Sequence, residues 1–281
     1  MAYSAGEVNQ PPRSILRAGD AEGPNNGWFM AMPVVAGDMM GVKIVTFYPG
    51  NTELGLHTHM AMIELLRRST GEPLALMDGR LITEMRTAAV SAVAFAALAP
   101  ARPVAPASFG ILGSGVQARA HIQALKLVWP GMGDIRVWSR NPANGQRLAA
   151  ETGARAVAIA EAAAADVVLT ATSSTQPVLM GRWLAPDALV LSVGATGADL
   201  RELDDEAMLG SSVVADSRDS AERESGDVRL SGARVEAEIG EILSGKTAAP
   251  RGGRVVFKSV GMAIEDLAAA KLVWQARKSQ S

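Results

Sequence analysis

Between Ser108 and Asp216 the chain alternates short apolar runs with helix-forming stretches. Strands are predicted at Ser108–Leu112, Ile135–Ser139, Val167–Thr172, Leu189–Val193 and Val213–Asp216, and helices at Gln117–Trp129, Pro142–Thr152 and near Ala160–Ala165. Strands that alternate with helices at this spacing imply right-handed βαβ units and a parallel sheet. The pattern upstream is different. MMGVKIVTF, within Gly37–Phe47, predicts a strand punctuated by Pro49-Gly50-Asn51, and Leu74–Met77 predicts another before Asp78-Gly79. The segment HTHMAMIELLRR satisfies both the helical and the strand period, with strand the preferred reading. Thr83–Leu98 is alanine-rich with a Thr cap and an early Glu, and predicts a helix that Pro100, Pro103 and Pro106 bring to an end. After Asp216 the strand rhythm stops, and Gly261–Gln275 reads as an amphipathic closing helix.

These patterns predict an α/β protein. A doubly wound parallel sheet of Rossmann type occupies residues 100–217, inserted into a discontinuous α+β domain formed by residues 1–99 and 218–281. A chain of 281 residues, 48% hydrophobic and 20% charged, has ample material for such cores, and disorder is expected only at the polar ends MAYSAGEVNQPPR and ARKSQS. The 27 Lys and Arg against 29 Asp and Glu leave a net charge of −2, no field to draw the chain to nucleic acid or anionic lipid. Absence of cysteine removes disulfides, thiolate catalysis and cysteine-held metals, and three histidines make a metal centre an unpromising reading. The first thirty residues lack an apolar signal core, and no later run reaches the roughly 20 apolar residues of a bilayer span, so a cytoplasmic location is expected.

The chemistry starts at Gly113-Ser114-Gly115-Val116-Gln117-Ala118, which follows an apolar strand and opens a helix. In that setting Gly113 permits a tight turn, Gly115 lets backbone N–H groups approach a pyrophosphate, and Ala118 allows close helix packing. The next strand ends Ser139-Arg140-Asn141 with no acid to hold a ribose 2′-hydroxyl. Arg140 suits a 2′-phosphate instead, with Ser139, Asn141 and Asn144 as hydrogen-bonding neighbours, so NADP(H) is expected over NAD(H).

GVKIVTFYPGN, TGEPLALMDGRLITEMRTAAVSA, ILGSGVQARAH, VGATGADLRELDDEAM, ESGDVRLSGA and VFKSVGMAIEDLAAAKL together resemble the ornithine cyclodeaminase/mu-crystallin family, in its order, from about Pro12 to Trp274. The chain begins late against that pattern. The likeness is strongest to the mu-crystallin-like ketimine reductases. It implies a homodimer formed through the non-Rossmann domain, a small imino acid as substrate, and a set of site residues. Lys43 matches the family's active-site lysine, and Arg86 and Arg13 match arginines for the substrate carboxylate. Thr58 and His59 match positions near the nicotinamide, and Glu224 and Ser259 match positions lining the ligand pocket. Thr87, Thr170, Ala171 and Val193 complete the expected cofactor contacts.

From the residues alone, Lys43 reads as a lysine on the solvent face of a half-buried strand, and only the resemblance places it in a site. Arg86 is a cation placed against the positive end of a helix dipole, a misfit that favours function. His57 and His59 lie two apart, but no third ligand accompanies them. Against the cyclodeaminase pattern, Thr196 replaces a catalytic aspartate and Met30 replaces a glutamate for the distal amine. These changes favour NADPH-dependent reduction of an α-imino acid, such as Δ1-pyrroline-2-carboxylate or Δ1-piperideine-2-carboxylate. An ornithine or lysine cyclodeaminase, an open-chain imine reductase or amino-acid dehydrogenase, and a non-catalytic NADPH and carboxylate binder are the alternatives.

Overall fold

The computed structural model describes residues 2–19 and 26–279, and the chain divides into two units, Thr87–Val260 and Ala2–Arg86 with the segment from Gly261 onward.

The first unit is built on the parallel sheet. Its strands are β7 (Ser108–Leu112), β8 (Asp134–Trp138), β9 (Arg155–Ala156), β10 (Val167–Thr170), β11 (Leu189–Ser192), β12 (Ser211–Ala215), β13 (Val235–Glu238) and β14 (Arg254–Lys258). They lie in the order β13-β12-β14-β11-β10-β7-β8-β9, all parallel. Strands β7, β10 and β11 are buried along their whole length, as expected of a sheet covered on both faces. Ile111, Leu169, Leu191 and Phe257 pack on one face, with Ile122 and Leu125 of α2 (Val116–Val128). Val168, Val190 and Val256 pack on the other, with Ala162 and Ala163 of α4 (Ile159–Ala163). The sheet is thus doubly wound. Strand order reverses at β7, whose neighbours are β8 on one side and β10 on the other, and ligands of such sheets bind at this switch point.

The strand rhythm does not stop at Asp216. β13 and β14 continue it, and β14 lies inside the sheet between β11 and β12. The parallel unit therefore runs to Val260 rather than to residue 217. The helices around them, α5 (Asp205–Leu209), α6 (Arg218–Glu224), α7 (Gly226–Ser231) and α8 (Ile239–Leu243), have at most seven residues each, too short for helical periodicity to announce them.

The second unit is antiparallel: β1 (Val8–Asn9), β2 (Ser14–Ala18), β3 (Gly27–Ala36), β4 (Met39–Phe47), β5 (His59–Arg67) and β6 (Pro73–Asp78), ordered β1-β3-β4-β5-β6 with β2 also paired to β3. HTHMAMIELLRR is accordingly strand from His59. The sequence pattern missed β3 because Pro33 interrupts it. Here β2 pairs residues 27–31 and β1 pairs 35–36, so the proline falls in the gap between the two edge strands, where a missing N–H costs no ladder bond. The turn Gly37-Asp38 then joins β3 to β4, with Gly37 at φ 57. Along β4, Met39, Gly41, Lys43 and Val45 are buried and the residues between them half-buried. The buried face packs under α9 (Ala263–Lys278): Met32, Val34, Met39 and Leu65 meet Ala263 and Leu267.

Between the units in sequence runs α1 (Gly79–Leu98), four residues longer at its start than the pattern predicted. With the turn after it, Gly79–Ala101 is long and apolar enough to cross a membrane by length and composition. Its Ala92, Ala94, Phe95 and Leu98 pack in the core against the parallel sheet.

Candidate functional site

The glycine loop leaves β7 at the switch point. Gly113 sits at φ 125, a conformation side chains avoid, and a Cβ there would lie 2.4 Å from the Ala171 carbonyl oxygen. Gly115 is the residue before α2, and a Cβ on it would meet nothing. Packing within the chain therefore explains Gly113 and not Gly115. The space at Gly115, at the start of a helix of thirteen residues, is a cradle for an anionic group, so the residues present fit a dinucleotide phosphate. Ala118 is fully buried against the sheet.

Around the loop, Ser114 Oγ lies 2.7 Å from Ser139 Oγ, joining the first turn to the end of β8. Arg140 is exposed and makes no ion pair among the described residues, whereas Arg136 and Arg155 are both held by Asp134. A cation left solvated at the tip of the second strand is available to a phosphate. Asn141 is committed locally: its side chain accepts from Ala143 N and caps α3 (Pro142–Thr152). Asn144 and Val116 are exposed, and Gln117 is half-buried, its carbonyl oxygen meeting the buried ring of His121.

Thr170, Ala171 and Val193 lie where β10 and β11 end. Thr170 is fully buried and its hydroxyl donates to Glu202, Val193 N donates to the Thr170 carbonyl, and Ala171 N donates to Leu112. Glu202 also accepts from Thr172 N, Gly194 N and Ala195 N at 2.6, 2.9 and 3.2 Å. Asp227 accepts in turn from Glu202 N and Leu203 N. This buried carboxylate pair fixes the loop that carries Thr196, itself exposed. Lys258 closes the network, donating to Asp227, Ser192 Oγ and the Ala195 carbonyl at 2.8, 3.0 and 3.2 Å. Ser259 donates to Asp216, and Glu224 ends α6 half-buried. Thr87 is buried on α1.

The antiparallel unit gathers the cations. Lys43 lies on the buried face of β4, only 3% exposed, so the solvent-face reading is set aside. Its Nζ is 2.6 Å from Asp266 Oδ2. Arg86 Nε donates to Asp266 Oδ1 at 3.0 Å and Arg86 Nη1 to Glu265 Oε2 at 2.6 Å. Arg13 donates to the Gly261 carbonyl at 2.7 Å. Arg86 lies two turns inside α1 rather than at its start, so a helix dipole does not oppose it; two carboxylates neutralise it instead. Burial, with repulsion from Arg86 and Arg13, pushes the Lys43 ammonium down to about 8 against the pull of Asp266. An ammonium poised there holds its proton near neutrality and releases it readily.

On the same face two rungs along, Trp28, Phe47 and His59 pair across the strands, with Phe47 stacked on both neighbours. Thr58 Oγ1 lies 3.2 Å from His59 Nδ1. His57 is exposed ahead of β5, and no cluster of metal-ligating side chains exists among the described residues.

No motif or spacing in the sequence singles out Glu265, Asp266, Glu202, Asp227 and Lys258. Acids in the first turn of a helix ordinarily answer its dipole, and Glu265 does so, accepting from Met262 N. Nothing in the sequence separates that duty from the ion pairs that the tertiary fold adds.

A doubly wound sheet with this glycine turn at its switch point defines a dinucleotide-binding α/β protein. The family model described as ornithine cyclodeaminase/mu-crystallin family matches residues 1–281, and the chain belongs to that family. Ketimine reductase mu-crystallin from Mus musculus is 40% identical over 282 residues, 98% of this chain and 87% of the mouse protein. The structure of Thermococcus litoralis Δ1-pyrroline-2-carboxylate reductase with NADH and L-proline is similar at a TM-score of 0.89 and 34% identity, covering 99% of this chain and 90% of that one. An archaeal alanine dehydrogenase dimer with bound NAD is similar at a TM-score of 0.91 and 29% identity, covering 99% and 88%.

Proposed function

We propose that this protein reduces the C=N bond of α-imino acids with NADPH, and that its substrates are cyclic ketimines such as Δ1-piperideine-2-carboxylate and Δ1-pyrroline-2-carboxylate. The observation that carries the proposal is the buried cluster of Lys43 and Arg86 around Asp266. In this reading Arg86, with Arg13, binds the substrate carboxylate, its planar guanidinium fixing the orientation of the ring. Lys43 delivers its proton to the imine nitrogen and is reprotonated from solvent. Bound NADPH supplies the hydride for the imine carbon. The glycine loop, Ser114, Ser139 and Arg140 hold the cofactor, and Arg140 selects the phosphorylated form.

Met30, on the Lys43 face one rung further along the sheet, favours reduction over cyclodeamination, since it offers no charge to a diamine. The face of the antiparallel sheet opposite Lys43 supports a homodimer. Leu16, Met60, Met62 and Leu76 are more than 40% exposed there, an apolar surface suited to a second copy.

The test supplies each cyclic imino acid with NADPH, and in parallel ornithine or lysine with NAD⁺ or NADP⁺. Consumption of NADPH by the ketimines is expected; ammonia from the diamines without imine reduction would reverse the reading. Arg86→Ala should abolish the ketimine reaction, and wild-type turnover in that variant would place the carboxylate site elsewhere.

A further inference from the structure

Two buried lysines give this molecule an internal standard. An ammonium has three N–H bonds to satisfy. Lys258 satisfies all three, on Asp227, Ser192 and Ala195. Lys43, equally buried, has one partner among the described residues, Asp266. That partner is shared: Oδ2 meets Lys43 and Oδ1 meets Arg86 Nε. A single carboxylate on the first turn of α9 therefore touches both cations, with Glu265 beside it as a second partner of Arg86.

We propose that Asp266 is a positioning residue for imine reduction: it holds the Lys43 ammonium at a fixed distance from the Arg86 guanidinium, with donor capacity left for the imine nitrogen. The inference rests on the reading of Lys43 and Arg86 given above. Placement of both groups by one rigid carboxylate is what proton transfer to a bound ring demands, because the carboxylate clamp fixes where the nitrogen lies. The helix makes the bridge rigid. Glu265 beside it accepts from Met262 N and from Arg86 Nη1, and Leu267 is buried against the sheet, so Asp266 is anchored from both sides.

Asp266 also governs the charge of Lys43. The groups facing Lys43 are Arg86 from α1, Arg13 from the N-terminal segment and His59 from β5, with Asp266 from α9 opposing them; its strand partners Met32 and Ile63 are apolar. Asp266 is the group that holds the proton on Lys43 against burial and against two arginines.

The experiment measures kcat and kcat/KM for Δ1-piperideine-2-carboxylate with NADPH across neutral and alkaline pH, in wild type, Asp266→Asn, Asp266→Glu and Lys43→Gln. Asp266→Asn should move the alkaline limb of the profile downward by about one pH unit or more, since an opposite charge at contact is lost, and should lower kcat. Asp266→Glu keeps the charge and should leave the limb in place, but should lower kcat about tenfold because its extra methylene displaces Lys43 from Arg86. An unshifted limb in Asp266→Asn, even with a lowered melting temperature, overturns the proposal by reducing Asp266 to scaffold. Should Asp266→Asn not fold, Asp266→Glu decides alone, and wild-type kcat in that variant overturns the proposal. Full activity in Lys43→Gln would sink the underlying reading of the site. Loss there, with a wild-type profile in Asp266→Asn, would sink this inference only.

Discussion

The two units of this chain bury charge in different ways. In the parallel unit the buried triad of Glu202, Asp227 and Lys258 holds backbone and one another: Glu202 and Asp227 accept from loop N–H groups, and Lys258 has a partner for each N–H. In the antiparallel unit the buried ions hold one another, and Lys43 keeps unspent donors beside a shared carboxylate. Burial of a charge is thus not itself a sign of function. What separates scaffold from chemistry is whether the hydrogen-bonding capacity is exhausted. A saturated ion fixes a loop at a cost in desolvation that its partners offset, whereas an unsaturated one is poised to bind or to give up a proton.

Exchanging each lysine for methionine should separate the two units most widely. Lys258→Met leaves Asp227 charged and unpaired in the core, and should destabilise the protein by about 3–5 kcal/mol, read from denaturant midpoints. Lys43→Met leaves Asp266 still paired with Arg86, so stability should stay within about 1–2 kcal/mol of wild type. Its imine reduction, however, should fall by about 10²–10⁴, the usual contribution of a positioned proton donor. If the two variants lost stability and activity in the same proportion, the distinction between the units would collapse.

A smaller effect isolates the cofactor half. Arg140→Ala should weaken NADPH by about 1.5–3 kcal/mol, the worth of a hydrogen bond to a charged group, and NADH far less, measured by quenching or enhancement of bound-cofactor fluorescence. The KM for the imino acid should not move. Equal losses for both cofactors would show that Arg140 does not read the 2′-phosphate.

The smallest effect is on stability against pH, and the two units should answer at opposite ends of the scale. Burial lowers His121, in the parallel unit, to about 4 against an ordinary 6.5. The unfolded chain binds that proton first as pH falls, so the stability from a neutral buried His121 is complete above 6.5 and is lost towards 4. Lys43 in the antiparallel unit lies at about 8 against an ordinary 10.5. Between those values the unfolded chain holds a proton that the folded chain has released, so this group makes stability rise with pH across the window. Lys43→Met should remove the alkaline rise and leave the acid loss untouched, in chemical denaturation followed as a function of pH.

What the sequence determined by itself is whatever depends on neighbours along the chain. The apolar runs of β7, β10 and β11, the glycine turn at Gly113 and the polar tip at Arg140 are local patterns, and the nucleotide half of the protein was legible from them. The alternation in MMGVKIVTF likewise announced β4. The tertiary structure decided the rest. It put β14 inside the parallel sheet although the regular alternation legible in the sequence ends at Asp216, because a strand's place depends on which edge is open to it. It carried β3 through Pro33, which falls in a gap between two edge strands. Above all it separated two lysines that look alike in GVKIV and VFKSV. Each sits among apolar residues in a strand, and only the acids brought from 223 residues further along for one, and 31 residues back for the other, settle which is saturated and which is left with protons to give. An ammonium's partners lie across space and not along the chain, and no periodicity records them.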